Sequence, residues 1–313
     1  MVKKILALIV DYHTTPEAAG LSVRLGESKT LLPAQYQLTV VHIDNGNRDR
    51  VQLSPSQTAA GVQLVSTGSN LGYAGALVFA IHEIEKQTQQ KYHAFWFLNS
   101  DLETDCACLN QLIQVLDHHP EVAAVGPLVL NSSKANQVWG AQGRVYPWLG
   151  TTSMGDGKTG YLPHWSYLPG CSPLIRATAY QEVGGLPVEY KLYYEETELC
   201  VRLQKRGWKL WLQRDAVAYH AVFSQRKGIP ARHFAYYFIR NNLKFWKTNF
   251  GIPVVLQFPR TLYVLFREVI LPLRRASTLA EFMDRLQCGL AGIWDGVLFA
   301  RGKAPQFERW LFP

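Results

Sequence analysis

Two acidic clusters carry the most readable chemistry in this chain. Asn99-Ser100-Asp101 follows the apolar run Ala94-Phe95-Trp96-Phe97-Leu98, and Glu195-Glu196-Thr197-Glu198 leads into Leu199-Cys200-Val201-Arg202-Leu203. A further strand-like segment ends at His220. Acids at the carboxyl end of a strand can hold a divalent cation and the phosphates it screens. A second acidic cluster can supply the base that takes a proton from an incoming nucleophile. Metal, phosphate and base together predict a transferase with an activated, phosphate-bearing donor.

These residues need a scaffold, and the first half of the chain alternates in the way that builds one. Strand-like runs at Lys4–Val10, Gln37–Ile43, Val62–Val65, Ala94–Leu98 and Val122–Val125 are separated by helical stretches. The helices are expected at about Pro16–Thr30, Ala74–Gln87 and Asp105–His118, where apolar residues recur near 3.6-residue spacing. Such alternation predicts a mostly parallel sheet with helices on both faces. Ligands on such sheets gather beyond the carboxyl ends of the strands, where Asp44, Asn70 and Asp101 all fall.

Beyond residue 130 the pattern loosens into a stretch rich in Gly, Pro, Trp and Tyr that includes Trp139, Trp148 and Trp165. It reads as a loop over the site in preference to packed irregular structure. Order returns at Pro173–Val183, then in a helix from the acidic cluster to Arg206 with Gly207 as its C-cap, then in a strand from Trp208.

Composition sets outer bounds. The 313 residues are 48% hydrophobic and 18% charged, as in a packed globular protein. Of 32 basic and 24 acidic side chains, 14 and 5 lie between Arg226 and Pro313, so the basic surplus belongs to the C-terminal region. That asymmetry points to an anionic surface, either membrane or nucleic acid. The segment from Val254 to Leu273 is apolar but interrupted by Arg260, Arg267 and Glu268, which suits a helix in the membrane interface better than a span. The five cysteines lack zinc-type spacing and read as buried, reduced thiols. The apolar run after Met1-Val-Lys-Lys reads as a first strand, not a cleaved leader, which predicts a cytoplasmic protein. With the interfacial helix, the expected place is peripheral, at the inner face of the cytoplasmic membrane. The expected division is 1–225 for a catalytic domain and 226–313 for a basic, amphipathic helical region.

In chain order, the motifs are Val10-Asp11-Tyr12-His13, Ile43-Asp44-Asn45-Gly46, Asn70-Leu71-Gly72-Tyr73-Ala74-Gly75, Leu98-Asn99-Ser100-Asp101, Gly184-Gly185, Tyr194-Glu195-Glu196-Thr197-Glu198, Gly207-Trp208 and His220. Each is weak alone, but their order over residues 4–245 resembles the family-2 glycosyltransferases, in particular the bacterial rhamnosyltransferases of surface-polysaccharide assembly. The resemblance implies a GT-A nucleotide-binding α/β fold and transfer that inverts the anomeric carbon. It implies that Asp101 binds a divalent cation, Mg²⁺ or Mn²⁺, with Asn99 standing where the family's D-x-D-like element has its first acid. It further implies nucleotide-sugar contacts at Asp11, Asp44, Asn70, Gly72, Asn99 and Asp101, with His220 completing the metal site. Glu196 aligns with the Asp of the family's Glu-Asp motif and is the expected base, one methylene longer than that Asp, with Glu195 and Glu198 as the neighbours able to substitute.

The expected partners are a nucleotide-sugar donor, with rhamnose from dTDP-rhamnose as the preferred case, and a lipid-linked or polysaccharide acceptor. Three other readings remain. One is a degenerate, non-catalytic nucleotide-sugar-binding relative, which the Asn99 and Glu196 departures would suit. Another is nucleic-acid binding through the basic region, which is not expected as the primary role. Nucleotidyl transfer is disfavoured, because no glycine-rich phosphate loop studded with Arg or Lys follows the first strand.

Overall fold

The computed structural model describes residues 2–47, 49–132, 137–220, 231–266 and 278–308. The N-terminal half runs β1 (Lys3–Asp11), α1 (Thr15–Glu27), β2 (Tyr36–Asp44), α2 (Pro55–Ala59), β3 (Val62–Ser66), α3 (Gly72–Thr88), β4 (Ala94–Asn99), β5 (Leu102–Glu103), α4 (Cys106–His118) and β6 (Val122–Asn131). Short strands follow: β7 (Val138–Gly140), β8 (Gln142–Tyr146), β9 (Thr151–Gly155), β10 (Gly160–Tyr161), β11 (Ser166–Tyr167) and β12 (Leu174–Arg176). Then come α5 (Ala177–Glu182), α6 (Glu195–Lys205), β13 (Lys209–His220), α7 (Ala231–Phe250), α8 (Val254–Leu265) and α9 (Leu279–Ala300).

Backbone proximity divides the chain into two compact units. The first comprises Met1–Val145, Thr152–Lys191 and Glu195–Ser224; the second comprises Tyr146–Thr151, Leu192–Tyr194 and Gln225–Pro313.

The first unit is built on a mixed sheet with strand order β10-β13-β6-β12-β4-β1-β2-β3. Strands β3, β2, β1 and β4 are mutually parallel. Strand β12 runs antiparallel between β4 and β6, and β13 lies parallel to β6. Register aligns the carboxyl ends: Asp11 pairs with Asp44, Asp44 with Ser66, and Val10 with Asn99. Strand β1 is buried from Ile5 onward because both faces are covered, which accounts for its unbroken apolar run. Helix α4 starts where Asp105 accepts hydrogen bonds from the Ala107 and Cys108 N–H groups at 2.9 and 3.2 Å.

At the other end of α4, Arg176 of β12 donates to the Leu116, His119 and Val122 carbonyls at 2.7, 3.1 and 2.9 Å. One guanidinium thus satisfies the helix terminus and anchors the antiparallel strand. All five cysteines are buried and unpaired.

The aromatic stretch differs from the sequence expectation of a loop. Its described residues form β7 to β11, several of them only two or three residues long. Strands of that length are too short for alternation to register in a sequence. Trp148, 98% exposed, stands at a turn, whereas Tyr167 is buried.

In the second unit, α7 and α9 pack through a core that includes Tyr236, Ile239 and Ala291. Asp295, fully buried, accepts from the Tyr236 hydroxyl at 2.6 Å and from the Gln306 and Phe307 N–H groups at 2.8 Å. Arg240 pairs with Glu308. Of the apolar segment expected from Val254 to Leu273, α8 forms the first part, and residues 267–273, including Arg267 and Glu268, lie outside the described residues. Among the described residues, no helix is long and apolar enough to cross a membrane.

A buried polar chain locks the amino-terminal elements of the first unit. Gln57 Oε1 accepts from the Ser54 N–H, so its amide nitrogen donates to Ser22 Oγ and His42 Nδ1, at 2.9 and 3.0 Å. His42 Nδ1 is therefore the acceptor, and Nε2–H donates to Asp11 Oδ2 at 3.0 Å. Thr14 and Thr15 also donate to the Asp11 carboxylate. Burial raises the Asp11 pKa, but the bonds from His42, Thr15 and Thr14 outweigh it and hold the value below 3.8. Because the folded value is depressed, Asp11 contributes stability that is complete above the ordinary value and lost as pH falls through the folded one. Asp11→Asn is expected to lower unfolding free energy at neutral pH by about 1–3 kcal/mol. Urea titrations should show the deficit shrinking as the medium becomes acidic; equal midpoints at neutral pH would contradict this account.

Candidate active site

At the carboxyl edge of the sheet, Asp101 follows β4 by two residues and His220 ends β13. Residues 219–220 pair with β5, so the two motifs are laced together by backbone bonds. Asp101 Oδ1 lies 3.4 Å from His220 Nε2. The His220 ring stacks on Trp139, with centroids 4.5 Å apart and planes at 13°. Burial raises the Asp101 pKa against the opposing pull of His220, and burial lowers that of His220 against the pull of Asp101. Burial thus favours the neutral imidazole, the form able to ligate a cation.

Both ring nitrogens of His220 are buried and lack a hydrogen-bond partner among the described residues. A carboxylate oxygen and an orphaned imidazole nitrogen this close suit a divalent cation. No group of three or more His, Cys, Asp or Glu residues forms a cage among the described residues, so phosphate oxygens would have to complete the coordination.

The second acidic cluster opens α6. Glu195 is buried, with Oε2 lacking a partner among the described residues, and burial followed by the charge of Glu196 raises its pKa strongly. Glu196 is partly exposed. Its pKa is also raised by burial, against hydrogen bonds from its own N–H and from Thr197. Glu198 points into structure: it accepts from the Tyr190 hydroxyl and lies 3.7 Å from Arg202. Arg202 also donates to the Val183 and Gly185 carbonyls, both at 2.5 Å, and so braces the Gly184-Gly185 turn. Glu198 is thereby separated in function from its two neighbours.

Residues 170–171 bring the clusters together. The Asn99 N–H donates to the Cys171 carbonyl at 3.0 Å. A Cβ on Gly170 would meet Glu196 Cβ and Cγ at 3.4 Å. Cys171 is raised by burial and then by the charges of Asp101 and Glu196. The Tyr73 phenol is raised well above its usual range by burial and then by Cys171, Glu195, Glu196 and Asp101. Asp101, Glu195 and Glu196 thus share one electrostatic neighbourhood.

The Asp44 turn and the residue 70–73 loop form the adjoining wall. Asp44 accepts from Asn47 Nδ2 at 2.8 Å and from Ser66 at 3.0 Å, and is itself buried. Asn45, absent from the sequence-derived site, links them: its Oδ1 accepts from the Leu71 N–H and its amide donates to Asn70 Oδ1, at 3.0 and 3.2 Å. Asn70 Oδ1 also accepts from the Gly72 N–H at 2.8 Å. Gly72 has φ +74°, and a Cβ there would lie 2.4 Å from the Lys191 carbonyl, which requires glycine. Asp11 is fully buried, and its oxygens serve the internal network. Its tie to the site is indirect, through Thr14, whose hydroxyl lies 2.7 Å from that of Ser100. Asn45, Tyr73, Gly170 and Cys171 complete the site. Asn45 and Tyr73 lie inside the sequence motifs, Gly170 adjoins the aromatic stretch, and Cys171 is brought in only by the fold.

Comparison with known proteins agrees with this architecture. Residues 29–184 match the model "Glycosyl transferase family 2". An N-acetylglucosaminyl-diphospho-decaprenol L-rhamnosyltransferase of Mycobacterium tuberculosis is 24% identical over 234 residues, covering 65% of this chain and 73% of the relative. Among solved structures, the mannosyltransferase PcManGT of Pyrobaculum calidifontis, in complex with GDP-Man and Mn²⁺, matches with a TM-score of 0.53 and 12% identity. That match covers 100% of this chain and 89% of the other. TarS of S. aureus, solved with UDP-GlcNAc, gives 0.54 and 12%, covering 96% and 84%. At such identity these structures speak to the fold, which is that of GT-A glycosyltransferases. With its family-model match and the GT-A architecture around its acidic edge, this chain belongs to the family-2 glycosyltransferases.

Proposed function

We propose that this glycosyltransferase moves a sugar with inversion from a nucleotide-sugar donor to an acceptor hydroxyl, using Glu196 as base. The observation that carries the reading is the junction at residues 170–171, where Cys171 accepts from the Asn99 N–H beside Asp101 while Gly170 accepts from Tyr73 and lies against Glu196. The acceptor oxygen gives its proton to the Glu196 carboxylate and forms a bond to the anomeric carbon. The bond from that carbon to the diphosphate breaks, and its electron pair leaves with the nucleotide. Glu196 suits this role because it is partly exposed and its raised pKa brings its basicity nearer to neutrality. Glu195 is its buried neighbour, raised by burial and then by the charge of Glu196, and Glu198 supports the fold of α6.

Asp101 and His220 would hold a divalent cation. When bound, the cation stabilises charge developing on the leaving diphosphate. Asn70, Gly72 and Asn99 line the donor side, with the Asp44 turn against the nucleobase of the donor and Asp11 fixing Thr14 and Ser100 behind Asp101. We take residues 1–225 as the catalytic domain.

The name of the mycobacterial relative joins rhamnosyl transfer to a polyprenyl-diphosphate acceptor. On that basis dTDP-rhamnose and a lipid-linked acceptor are the proposed substrates. A peripheral membrane position fits the second unit. Val255, Leu256, Leu262 and Tyr263 of α8 and Leu279, Met283, Leu290 and Trp294 of α9 are exposed, in a region with a basic surplus. Apolar side chains with basic neighbours favour an anionic lipid interface.

Calorimetry with dTDP, UDP and GDP, with and without Mn²⁺ or Mg²⁺, tests the donor side. One nucleotide should bind with a metal-dependent preference that Asp101→Ala abolishes. Binding to none of them would overturn the transferase reading. Glu196→Gln should lower kcat by about 10²–10⁴-fold while nucleotide affinity stays close to that of the parent. Because the raised pKa must be exceeded for the base to ionise, the acid limb of kcat/KM should lie above the ordinary glutamate value of 4.5. Full activity in Glu196→Gln would point to a different base, and nucleotide binding without any transfer would favour the non-catalytic relative. Anionic vesicles should co-sediment the protein, less so in high salt or after Leu256→Glu with Tyr263→Glu. Indifference to both changes would remove the membrane reading.

A further inference from the structure

The residue after Gly72 reaches across the site. Tyr73 belongs to the first turn of α3, and its backbone N–H donates to the Lys191 carbonyl at 2.9 Å. Its phenol donates to the Gly170 carbonyl at 2.7 Å. The same Gly170 packs on the Glu196 side chain, where a Cβ would meet Cβ and Cγ at 3.4 Å and Cδ at 3.6 Å. A single side chain thus joins the Asn70–Gly72 loop to the wall behind Glu196. Lys191, held by the Tyr73 N–H, has φ +60°, an uncommon conformation for a residue other than glycine.

We infer that Tyr73 is a positioning residue for Glu196, setting the Gly170 wall through its hydroxyl and coupling that wall to the donor loop through its backbone. The inference rests on the proposed role of Glu196 as base. Three features support it. The hydroxyl is the only part of Tyr73 that touches Gly170 through a hydrogen bond, so its loss moves the wall without emptying the space the ring fills. The neighbouring carboxylates and burial disfavour phenolate, so the group remains a donor over the working pH range. Gly170 has no side chain through which it could hold Glu196 independently, so the position of its backbone decides the contact.

The test is a kinetic cycle on the full-length protein, with the donor found by the calorimetry above. Tyr73→Phe removes only the hydroxyl and is expected to lower kcat about tenfold, with donor KM changed less than about twofold. Its Tm should move by no more than about 4 °C. In a Glu196→Asp background, where the carboxylate is already displaced by one methylene, Tyr73→Phe should lower kcat less than about twofold. Equal tenfold losses in both backgrounds would show that Tyr73 acts elsewhere and overturn the proposal. A raised donor KM with unchanged kcat would overturn it too, by confining Tyr73 to the donor loop.

Glu196→Gln separates the two levels of the argument. If that variant keeps its activity, the base assignment fails and this inference fails with it. If it is inactive while Tyr73→Phe behaves as the parent, only the positioning role is refuted. Should Tyr73→Phe fold poorly, Gly170→Ala probes the same wall by adding a methyl against Glu196. A several-fold fall in kcat at constant donor KM supports the inference, and parent-like kinetics contradict it.

Discussion

The site depends on one feature of the sheet, the antiparallel wedge that β12 and the residues before it drive between β4 and β6. The Phe97 and Asn99 N–H groups donate to the Pro173 and Cys171 carbonyls at 3.1 and 3.0 Å, so 171–173 extends the pairing to the tip of β4. Without that insertion, β4 would have an open edge opposite β1. With it, Gly170 arrives beside Glu196 and the ends of two remote segments become one surface. Arg176 fastens the far end of the same short strand to three carbonyls around the end of α4. A strand of three residues contributes little by itself, and these flanking bonds are what fix it.

The arrangement works against stability where it serves chemistry. Burial raises the pKa of both adjacent carboxylates at the head of α6, and one oxygen of Glu195 has no partner among the described residues. Tyr193 and Tyr194, just before them, have φ of +68° and +75°. Non-glycine residues in that region cost of order 1–3 kcal/mol each and persist only where surrounding structure determines them. Within the second unit, Asn241 donates to the Leu192 and Tyr193 carbonyls at 2.7 and 2.9 Å, and Asn242 donates to the Tyr194 hydroxyl at 2.6 Å. Burial, charge repulsion and backbone strain therefore fall within residues 193–196, which end at the proposed base, as expected where function is set against stability.

How much of this could be read beforehand follows from the range of the interactions. The βα alternation, α3, α4 and α6 were legible because each is a local pattern of adequate length. The two acidic clusters were legible as candidates because acids at strand and helix ends stand out against apolar runs, whereas the choice of Glu196 and the pairing of His220 with Asp101 rested on the family resemblance. The five short strands from β7 to β11 were not, since two to five residues show no period. The engagement of Asp11 by His42 and of His42 by Gln57 was equally invisible, because both bonds join separate elements. Gly170 illustrates the general limit: a glycine announces nothing about which side chain will lie against it.

The two departures from the family pattern can now be weighed against their surroundings. Asn99 lies at the end of β4, where its backbone N–H is committed to Cys171; the cation reading places charge instead on Asp101, beside His220, whose ring nitrogens have no hydrogen-bond partner among the described residues. An Asn in that position adds no second negative charge to a neighbourhood that already contains Asp101, Glu195 and Glu196, and the three would be harder to ionise together if it did. The longer arm of Glu196 meets a complementary circumstance. The backbone facing its Cβ, Cγ and Cδ belongs to a glycine, which leaves the extra methylene a place to lie. On this argument neither substitution is a sign of decay, because in each case the neighbours have the composition that the substituted residue requires.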